Sequence, residues 1–210
     1  MKIVIFGASG NTGKLLTISC LESGHQVVAY VRNESSIEQK HKNLQVLMWQ
    51  LNEIDKLHLA ILGADACIST LGGNSLTKHS VEFTQGIANI IQVMEDKKVK
   101  RFIYMSSIGA GESKRLMASA VRFLVADLML RIPLADHALN EAKILASTLD
   151  WTVVRPGGLR DEPAAASLRH GIGNETIKGN LRVSRMDVAN FLLQQVVDTQ
   201  YLKKSVWLTV

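Results

Sequence analysis

Cysteine is scarce in this chain, and long hydrophobic runs are missing from it. Only Cys20 and Cys67 occur among 210 residues, both in apolar surroundings and neither in a metal-ligand spacing. Two such thiols are typical of a reducing compartment, so we expect a cytoplasmic protein. The six histidines form no paired ligand pattern, so no metal is expected. No apolar run could cross a bilayer and the first strand begins at once, so we expect neither a signal peptide nor a membrane partner.

An excess of charge is also missing, because the net charge is only +5. The densest basic cluster, residues 97–101, has no interleaved aromatic side chains of the kind that stack on bases. Such a cluster could be a nucleic-acid patch, but cations also suit the solvated end of a helix. We favour the helix end and expect no nucleic-acid partner. An anionic cofactor would balance part of the positive charge.

Glycine, in contrast, is concentrated in one turn near the N-terminus. The apolar run 3–6 has the pattern of a strand buried on both faces, and a helical pattern begins at residue 15. The backbone N–H groups of such a turn point from a helix start, where they bind phosphate. The G-x-x-G-x-x-G spacing therefore predicts a dinucleotide site. Its expected contacts are Gly7, Ser9, Gly10, Asn11, Thr12 and Gly13.

A nucleotide-triphosphate loop is excluded at the same place. That loop needs a glycine at position 8 and a Ser or Thr after Lys14, and the chain has Ala8 and Leu15. We therefore reject a kinase or NTPase.

The end of the second predicted strand indicates which dinucleotide binds. An NAD site places an acidic residue about 20 residues beyond the turn, where it binds the ribose 2′-hydroxyl. Here Arg32 and Asn33 hold that place, and the first acid is Glu34. A guanidinium can bind a 2′-phosphate with two hydrogen bonds. We therefore predict NADP(H) as the cofactor, with Lys14 near enough to assist; the alternative is an exposed arginine at a strand end.

Further contacts are expected where other strands end, because parallel sheets bind ligands at their carboxyl edge. Gln50 and Leu51 follow the third predicted strand, and the Gln50 side chain could form hydrogen bonds with the cofactor there. Gly72 follows the fourth strand, which ends at Leu71, although a plain turn explains it nearly as well. The remaining expected contacts with the cofactor are Ser106, Pro156 and Gly157.

Strands and helices alternate along the chain, which predicts an α/β fold. Among the predicted elements are strands at 26–31, 44–48 and 101–105, a helix at 81–96, and a helix at 186–197 that Ser184 would cap. We expect a Rossmann-type doubly wound parallel sheet in a single domain, residues 1–210, with a small C-terminal substrate-side lobe. Residues 109–135 and 159–185 are the expected substrate-side insertions. The apolar segment 109–135 could be a lid, a subunit interface or core, and both monomer and homodimer remain open. Pro133 is expected to end this segment, and Asp136 to cap the next helix.

These motifs together resemble a known family. The segments 7–13 (GASGNTG), 31–32 (VR), 106–109 (SSIG), 151–159 (WTVVRPGGL) and 184–189 (SRMDVA) look like the atypical short-chain dehydrogenase/reductases. More narrowly, they resemble the NmrA-like NAD(P)-binding proteins and the biliverdin reductase B/flavin reductase branch. The resemblance implies a Rossmann fold that binds NAD(P). Its members include reductases, isomerases and redox sensors without catalysis.

The usual catalytic pair of that superfamily, Tyr-x-x-x-Lys, is missing. None of the three tyrosines has a lysine four residues later. A conjugated acceptor such as a flavin or quinone needs no such pair, because it delocalises the incoming charge and solvent can protonate it. Ser106 or Ser107 would orient the nicotinamide or the acceptor, and His137 would relay a proton with a pKa near neutrality. The alternative for the serines is a turn at the end of a strand, and the alternative for His137 is a place at the start of a helix, without a catalytic role in either case.

Three functions follow. The first is an NADPH-dependent oxidoreductase that transfers hydride to a small conjugated acceptor. The second is a sensor that binds NADP(H) without turnover and reports redox state to a protein partner. The third is an epimerase or isomerase that retains its cofactor.

Overall fold

The computed structural model describes residues 1–32, 37, 39–73, 75–165, 167–173, 176–177 and 180–210. Asn33, one of the expected cofactor contacts, lies outside the described residues. The strands are β1 (Lys2–Phe6), β2 (Gln26–Val31), β3 (Leu44–Met48), β4 (Ala66–Ser69), β5 (Arg101–Met105), β6 (Asp150–Pro156), β7 (Gly158–Arg160), β8 (Arg169–Gly171), β9 (Arg182–Ser184) and β10 (Lys204–Thr209).

Eight strands form one sheet in the order β3-β2-β1-β4-β5-β6-β10-β8, and β7 pairs with β9 in a small second sheet. Every pair in the large sheet is parallel except that between β10 and β8. The strand order reverses direction between β1 and β4. In open α/β sheets a ligand binds at that reversal, outside the carboxyl ends of the strands.

Helices cover both faces of the sheet because the strands are apolar on both faces. Ile3 and Ile5 of β1 pack into the cluster that holds Leu16 and Phe191. The alternate residues of β1 pack into the opposite cluster, with Ile87. The helices are α1 (Asn11–Glu22), α2 (Ile54–Ile61), α3 (Val81–Asp96), α4 (Ser119–Val121), α5 (Arg131–Ala146) and α6 (Arg185–Gln194).

The Rossmann-type doubly wound fold predicted from the sequence is confirmed. The predicted bounds of β2, β3, α3 and β5 agree with the structure residue for residue. Ser184 caps α6, as its sequence pattern suggested, because its hydroxyl accepts a hydrogen bond from the N–H of Asp187. Of the described helices, none is both long enough and apolar enough to span a membrane.

The start of α5 corrects the sequence prediction. The helix begins at Arg131, so Pro133 lies in its first turn and does not end the preceding segment. Proline is tolerated there because the first N–H groups of a helix have no intrahelical partner. Asp136 consequently lies inside the helix and is buried, so it is not a cap.

The rest of segment 109–135 is a chain of short helices: a 3-10 turn (Gly111–Leu116), α4, and a π-helical stretch (Arg122–Met129). Its inner residues pack in a small apolar cluster with Ile177, which comes from the other expected insertion. Its outer side chains are exposed, among them Phe123 at 67% and Leu128 at 65%. The segment is therefore part core and part exposed apolar surface.

Both cysteines are buried and neither forms a disulfide. Cys20 lies on α1 and Cys67 on β4, on opposite faces of the sheet. Burial raises the pKa of the Cys20 thiol to about 12 and also raises that of Cys67.

Candidate functional site

The glycine turn between β1 and α1 is built from close backbone contacts. Gly7 has a φ of 85°, a conformation that favours glycine, and its carbonyl accepts a hydrogen bond of 3.0 Å from Gly10 N–H. A Cβ at Gly13 would lie 2.1 Å from the Gly7 oxygen. Side chains at Gly7 and Gly13 would therefore displace the backbone of the turn. This geometry suits a phosphate bound at the start of α1.

A cavity of about 670 Å³ opens from this turn along the carboxyl edge of the sheet. Its volume is in the range of pockets that hold small molecules and cofactors. Its wall contains eight of the cofactor contacts expected from the sequence, namely Gly7, Ser9, Gly10, Arg32, Gln50, Leu51, Leu71 and Gly72. Among the described residues expected to contact the cofactor, those outside its wall are Asn11, Thr12, Gly13, Ser106, Pro156 and Gly157.

The cavity floor beyond β3 is fixed by hydrogen bonds to the backbone. Tyr30 donates to the carbonyl of Gln50 over 2.9 Å, and the Gln50 N–H donates to Glu53 over 2.7 Å. Asn89 of α3 donates its side-chain N–H to the carbonyl of Leu51. Burial, and secondly the charge of Glu53, raises the pKa of Tyr30, so the phenol stays a neutral donor. The backbone of Gln50 and Leu51 is thus held in place before any ligand arrives.

Aromatic residues also line this end of the cavity, and the sequence patterns did not single them out. Trp49 lines the cavity and packs edgewise on Tyr30, with ring centroids 6.0 Å apart. The Lys56 ammonium lies 5.6 Å from the Trp49 ring centroid. An aromatic residue directly after a strand, at the carboxyl edge, is the signal that could have identified Trp49 as a wall residue.

The expected nicotinamide end lies beyond this cavity, at the ends of β5 and β6. Ser106 is 4% exposed, and its hydroxyl has no hydrogen-bond partner among the described residues. The Ser107 hydroxyl donates to the Ile108 carbonyl. A Cβ at Gly157 would lie 2.4 Å from the Leu181 oxygen, so this glycine is required for packing against Leu181. A buried hydroxyl without a partner is unusual, and this one lies where the sequence predicts the nicotinamide.

His137 occupies a different environment from the one expected. Its Nδ1 lies 2.8 Å from the Tyr104 hydroxyl, which in turn accepts from Asn140 over 3.3 Å. Burial lowers the pKa of His137 to about 4, against a smaller opposing effect of Asp136. The prediction of a pKa near neutrality was therefore wrong, because the ring is desolvated behind Phe83, a cavity residue that it contacts edgewise.

Asp136 joins α5 to the segment that leads into α3. One carboxylate oxygen lies 2.5 Å from Nδ1 of His79, and the other accepts from the Ser80 N–H over 2.8 Å. The Asp136 side chain is 1% exposed, whereas that of His79 is 55% exposed. Sequence analysis missed this pair because 57 positions separate its members.

A buried ion pair joins α5, the helix that carries Asp136 and His137, to β6. The Arg155 guanidinium of β6 makes two hydrogen bonds to Glu141 of α5, at 3.0 and 2.6 Å. Glu112 approaches the same guanidinium at 3.6 Å from the exposed side. Arg155 and Glu141 are both about 5% exposed or less, so the pair fixes α5 against β6 in a site of low dielectric.

Comparisons with known proteins agree with this geometry. The profile of a family described as NAD(P)H-binding matches residues 7–199. The uncharacterized sugar epimerase YhfK of Bacillus subtilis is 29% identical over 92% of this chain and 86% of its own length.

Two solved structures share the fold. ChuY, an anaerobillin reductase from Escherichia coli O157:H7, has a TM-score of 0.83 at 23% identity, covering 99% of this chain and 96% of that one. A short-chain dehydrogenase/reductase from Veillonella parvula in complex with NADP has a TM-score of 0.81 at 20% identity, covering 100% and 94%.

The match spans nearly the whole chain and begins at the first glycine of the turn. The resemblance inferred from the motifs is confirmed, as is a nicotinamide dinucleotide as the cofactor. The glycine cradle, the cavity and the unpaired Ser106 hydroxyl all fit that cofactor, while its individual contacts stay a prediction. The chain has a Rossmann-type fold and belongs to the NAD(P)H-binding family.

Proposed function

We propose that this protein is an NADPH-dependent oxidoreductase that transfers hydride to a small conjugated acceptor, such as a flavin or a quinone. The observation that carries the proposal is the cavity that runs from the glycine turn to Arg32. It supports a bound dinucleotide with a guanidinium at the ribose end. When bound, the cofactor supplies the hydride; the chain binds it, orients it and excludes water.

Arg32 supports the choice of NADPH over NADH. The residue follows β2 directly and lines the cavity. A guanidinium gains charge-assisted hydrogen bonds from a 2′-phosphate and far weaker ones from a 2′-hydroxyl.

The inward face of α5 supports a conjugated acceptor. Its buried polar residues are Asp136, His137, Asn140 and Glu141, and none of them is a tyrosine. The one phenol nearby, Tyr104, is buried, and burial raises its pKa, so it is a poor acid for a carbonyl oxygen. An acceptor that delocalises the incoming charge does not need a phenol as its acid. Ser106 and Ser107 would then position the nicotinamide and the acceptor.

A sensor without turnover is the second candidate. It is favoured by the same cavity, whose described wall includes neither Ser106 nor His137. An epimerase with a retained cofactor is a third candidate, suggested by the similarity to the sugar epimerase YhfK.

NADPH oxidation in the presence of FMN, riboflavin or a small quinone separates these functions. We expect steady turnover with at least one acceptor, which is measured as the loss of NADPH absorbance. Tight NADPH binding by calorimetry, without turnover on any of the three, would contradict the reductase and favour the sensor.

Cofactor choice is tested by Arg32→Asp. We expect NADPH affinity to fall roughly 10- to 100-fold, because charge-assisted hydrogen bonds are lost and a carboxylate repels the phosphate. NADH affinity should change little. Lys100→Asp is the matched control, since Lys100 is exposed and precedes β5, at the amino end of the strand and therefore away from the cavity. Equal losses of affinity for NADPH and NADH would show that Arg32 does not bind the 2′-phosphate.

A further inference from the structure

We propose that His79, oriented by Asp136, is the group that protonates the acceptor. The proposal rests on the reductase function above and adds a proton donor that the sequence patterns did not reveal. His79 would be the catalytic residue, and Asp136 its positioning residue.

The hydrogen bonds around Asp136 fix the His79 ring. Its buried carboxylate holds Nδ1 of His79 at 2.5 Å with one oxygen and the Ser80 N–H at 2.8 Å with the other. With Nδ1 bound to Asp136, Nε2 of the half-exposed ring faces away from the carboxylate and can exchange protons.

The pair lies at the edge of the cofactor cavity. Ser80, the residue after His79, lines the cavity, as does Phe83 one turn further on. Phe83 contacts His137, the neighbour of Asp136 on α5. His137 in turn is bonded to Tyr104 of β5, two residues before the unpaired Ser106 hydroxyl. These contacts connect the His79 pair to the end of the cleft where the nicotinamide is expected.

His79 suits proton transfer better than His137 does. His137 is buried, its Nδ1 is engaged with Tyr104, and burial lowers its pKa to about 4, so it remains neutral at physiological pH. His79 carries an exposed ring with a carboxylate on one nitrogen, the arrangement in which an imidazole accepts a proton from solvent and passes it on. Asp136 of α5 is the charged group that contacts the ring, and Lys78 and Glu82 are the charged residues nearest to His79 in the sequence.

For a quinone the step balances as follows. The hydride that a bound NADPH would supply forms an O–H bond at one quinone oxygen, and its electron pair leaves a negative charge on the other oxygen. Nε2–H of the His79 imidazolium would give its proton to that second oxygen, which forms the second O–H bond and leaves the electron pair of the broken N–H bond on Nε2. The quinol would then leave with the oxidised cofactor, and solvent would protonate Nε2 again.

The first test compares His79→Ala with His41→Ala in the NADPH–quinone assay. His41 is an exposed histidine before β3, at the amino end of that strand, whereas the cavity lies at the carboxyl ends of the strands. We expect kcat of His79→Ala to fall on the order of 100-fold, as for loss of a general acid, with NADPH affinity unchanged. Added imidazole should restore the rate in proportion to its concentration. The His41 variant should keep the wild-type rate.

The second test is Asp136→Asn. We expect kcat to fall while KM for the quinone is unchanged, because the ring loses its orientation but the cavity is intact. Nitrogen NMR of the wild-type chain should show the His79 proton on Nδ1 in the neutral ring, and the Asn variant should lose that preference. This NMR reading needs no turnover, and it also shows whether the variant is folded.

The outcomes separate this proposal from the function on which it rests. Wild-type turnover with an unchanged rate in His79→Ala would overturn the proton donor and leave the reductase standing. A slow variant that imidazole does not restore would give His79 a structural role, which also overturns the proposal. Absence of turnover in the wild-type chain would overturn both.

Discussion

At the scale of single residues, Gly13 is where a side chain is least tolerated. Its Cβ would lie 2.1 Å from the Gly7 oxygen, a backbone atom that cannot rotate away. We expect Gly13→Ala to lower the free energy of unfolding by about 1–3 kcal/mol, as overpacking does, and to weaken NADPH binding. Urea unfolding and calorimetry measure the two effects.

Gly10→Ala is the control for stability. Gly10 has a φ of −72°, and its Cβ would lie 3.4 Å from the nearest atom, so the turn can accept it. Equal destabilisation by the two substitutions would contradict the close contact at Gly13.

His137 should make stability depend on pH. Burial lowers its pKa from 6.5 to about 4 in the folded chain. Between these values the unfolded chain binds a proton that the folded chain does not, so the free energy of unfolding decreases as pH falls. The linkage amounts to roughly 2 kcal/mol between pH 7 and pH 5, and the loss levels off below pH 4.

Urea unfolding at pH 7, 6 and 5 measures that slope. His137→Gln should remove this part of the pH dependence, whereas His41→Gln should retain it. A His137 variant with the wild-type slope would assign the pH dependence to other groups.

The residues of the site differ in whether a short stretch of sequence is enough to identify them. Gly7, Gly10 and Arg32 line the cavity, and their places in a turn and at a strand end are evident from a few consecutive positions. The His79–Asp136 pair is not evident in this way, since it joins side chains 57 positions apart. The pKa of His137 depends on burial behind Phe83, which no local pattern reveals.

At the scale of elements, the Arg155–Glu141 pair joins β6 to α5. Glu141→Ala would leave a buried guanidinium without its carboxylate. We expect a loss of about 3–5 kcal/mol in the free energy of unfolding. The double variant Glu141→Leu with Arg155→Met should recover most of it, because no buried charge is left unpaired. Urea unfolding of the three chains measures both changes.

Asp161→Ala provides the matched control at the surface. Asp161 pairs with Arg185 at 2.8 Å but is 74% exposed, so its loss should cost less than about 1 kcal/mol. Similar losses for Glu141→Ala and Asp161→Ala would show that burial does not strengthen the pair at β6.

Elements were predictable where their own sequence determines them. The strands β2 and β5 are apolar after their first residue and β3 is apolar except for Gln45, and the bounds of all three agree with the prediction. The three-residue strands β7 and β8 were missed because each exists only through pairing with a distant strand. The start of α5 was misplaced because Pro133 was interpreted as an end, although proline is also common in a first helical turn.

At the scale of the whole molecule, we propose that residues 1–210 form one cooperative unit, with 159–185 as a substrate-side addition. The small cluster that joins Ile177 to segment 109–135 supports this arrangement. We expect one calorimetric transition, with calorimetric and van't Hoff enthalpies equal. NADPH at about 100 times its Kd should stabilise the fold by ~2.7 kcal/mol. Two separate transitions, only one of them shifted by NADPH, would contradict the single unit.

The burial of Cys20 and Cys67 has a consequence for the acceptors proposed here. Quinones are electrophiles that alkylate thiolates, and only the deprotonated sulfur reacts quickly. Both thiols lie within the hydrophobic core, with the pKa of Cys20 raised to about 12. The folded chain therefore presents no cysteine thiolate to such a molecule, and the proposed reductase would not lose activity through alkylation of these two residues.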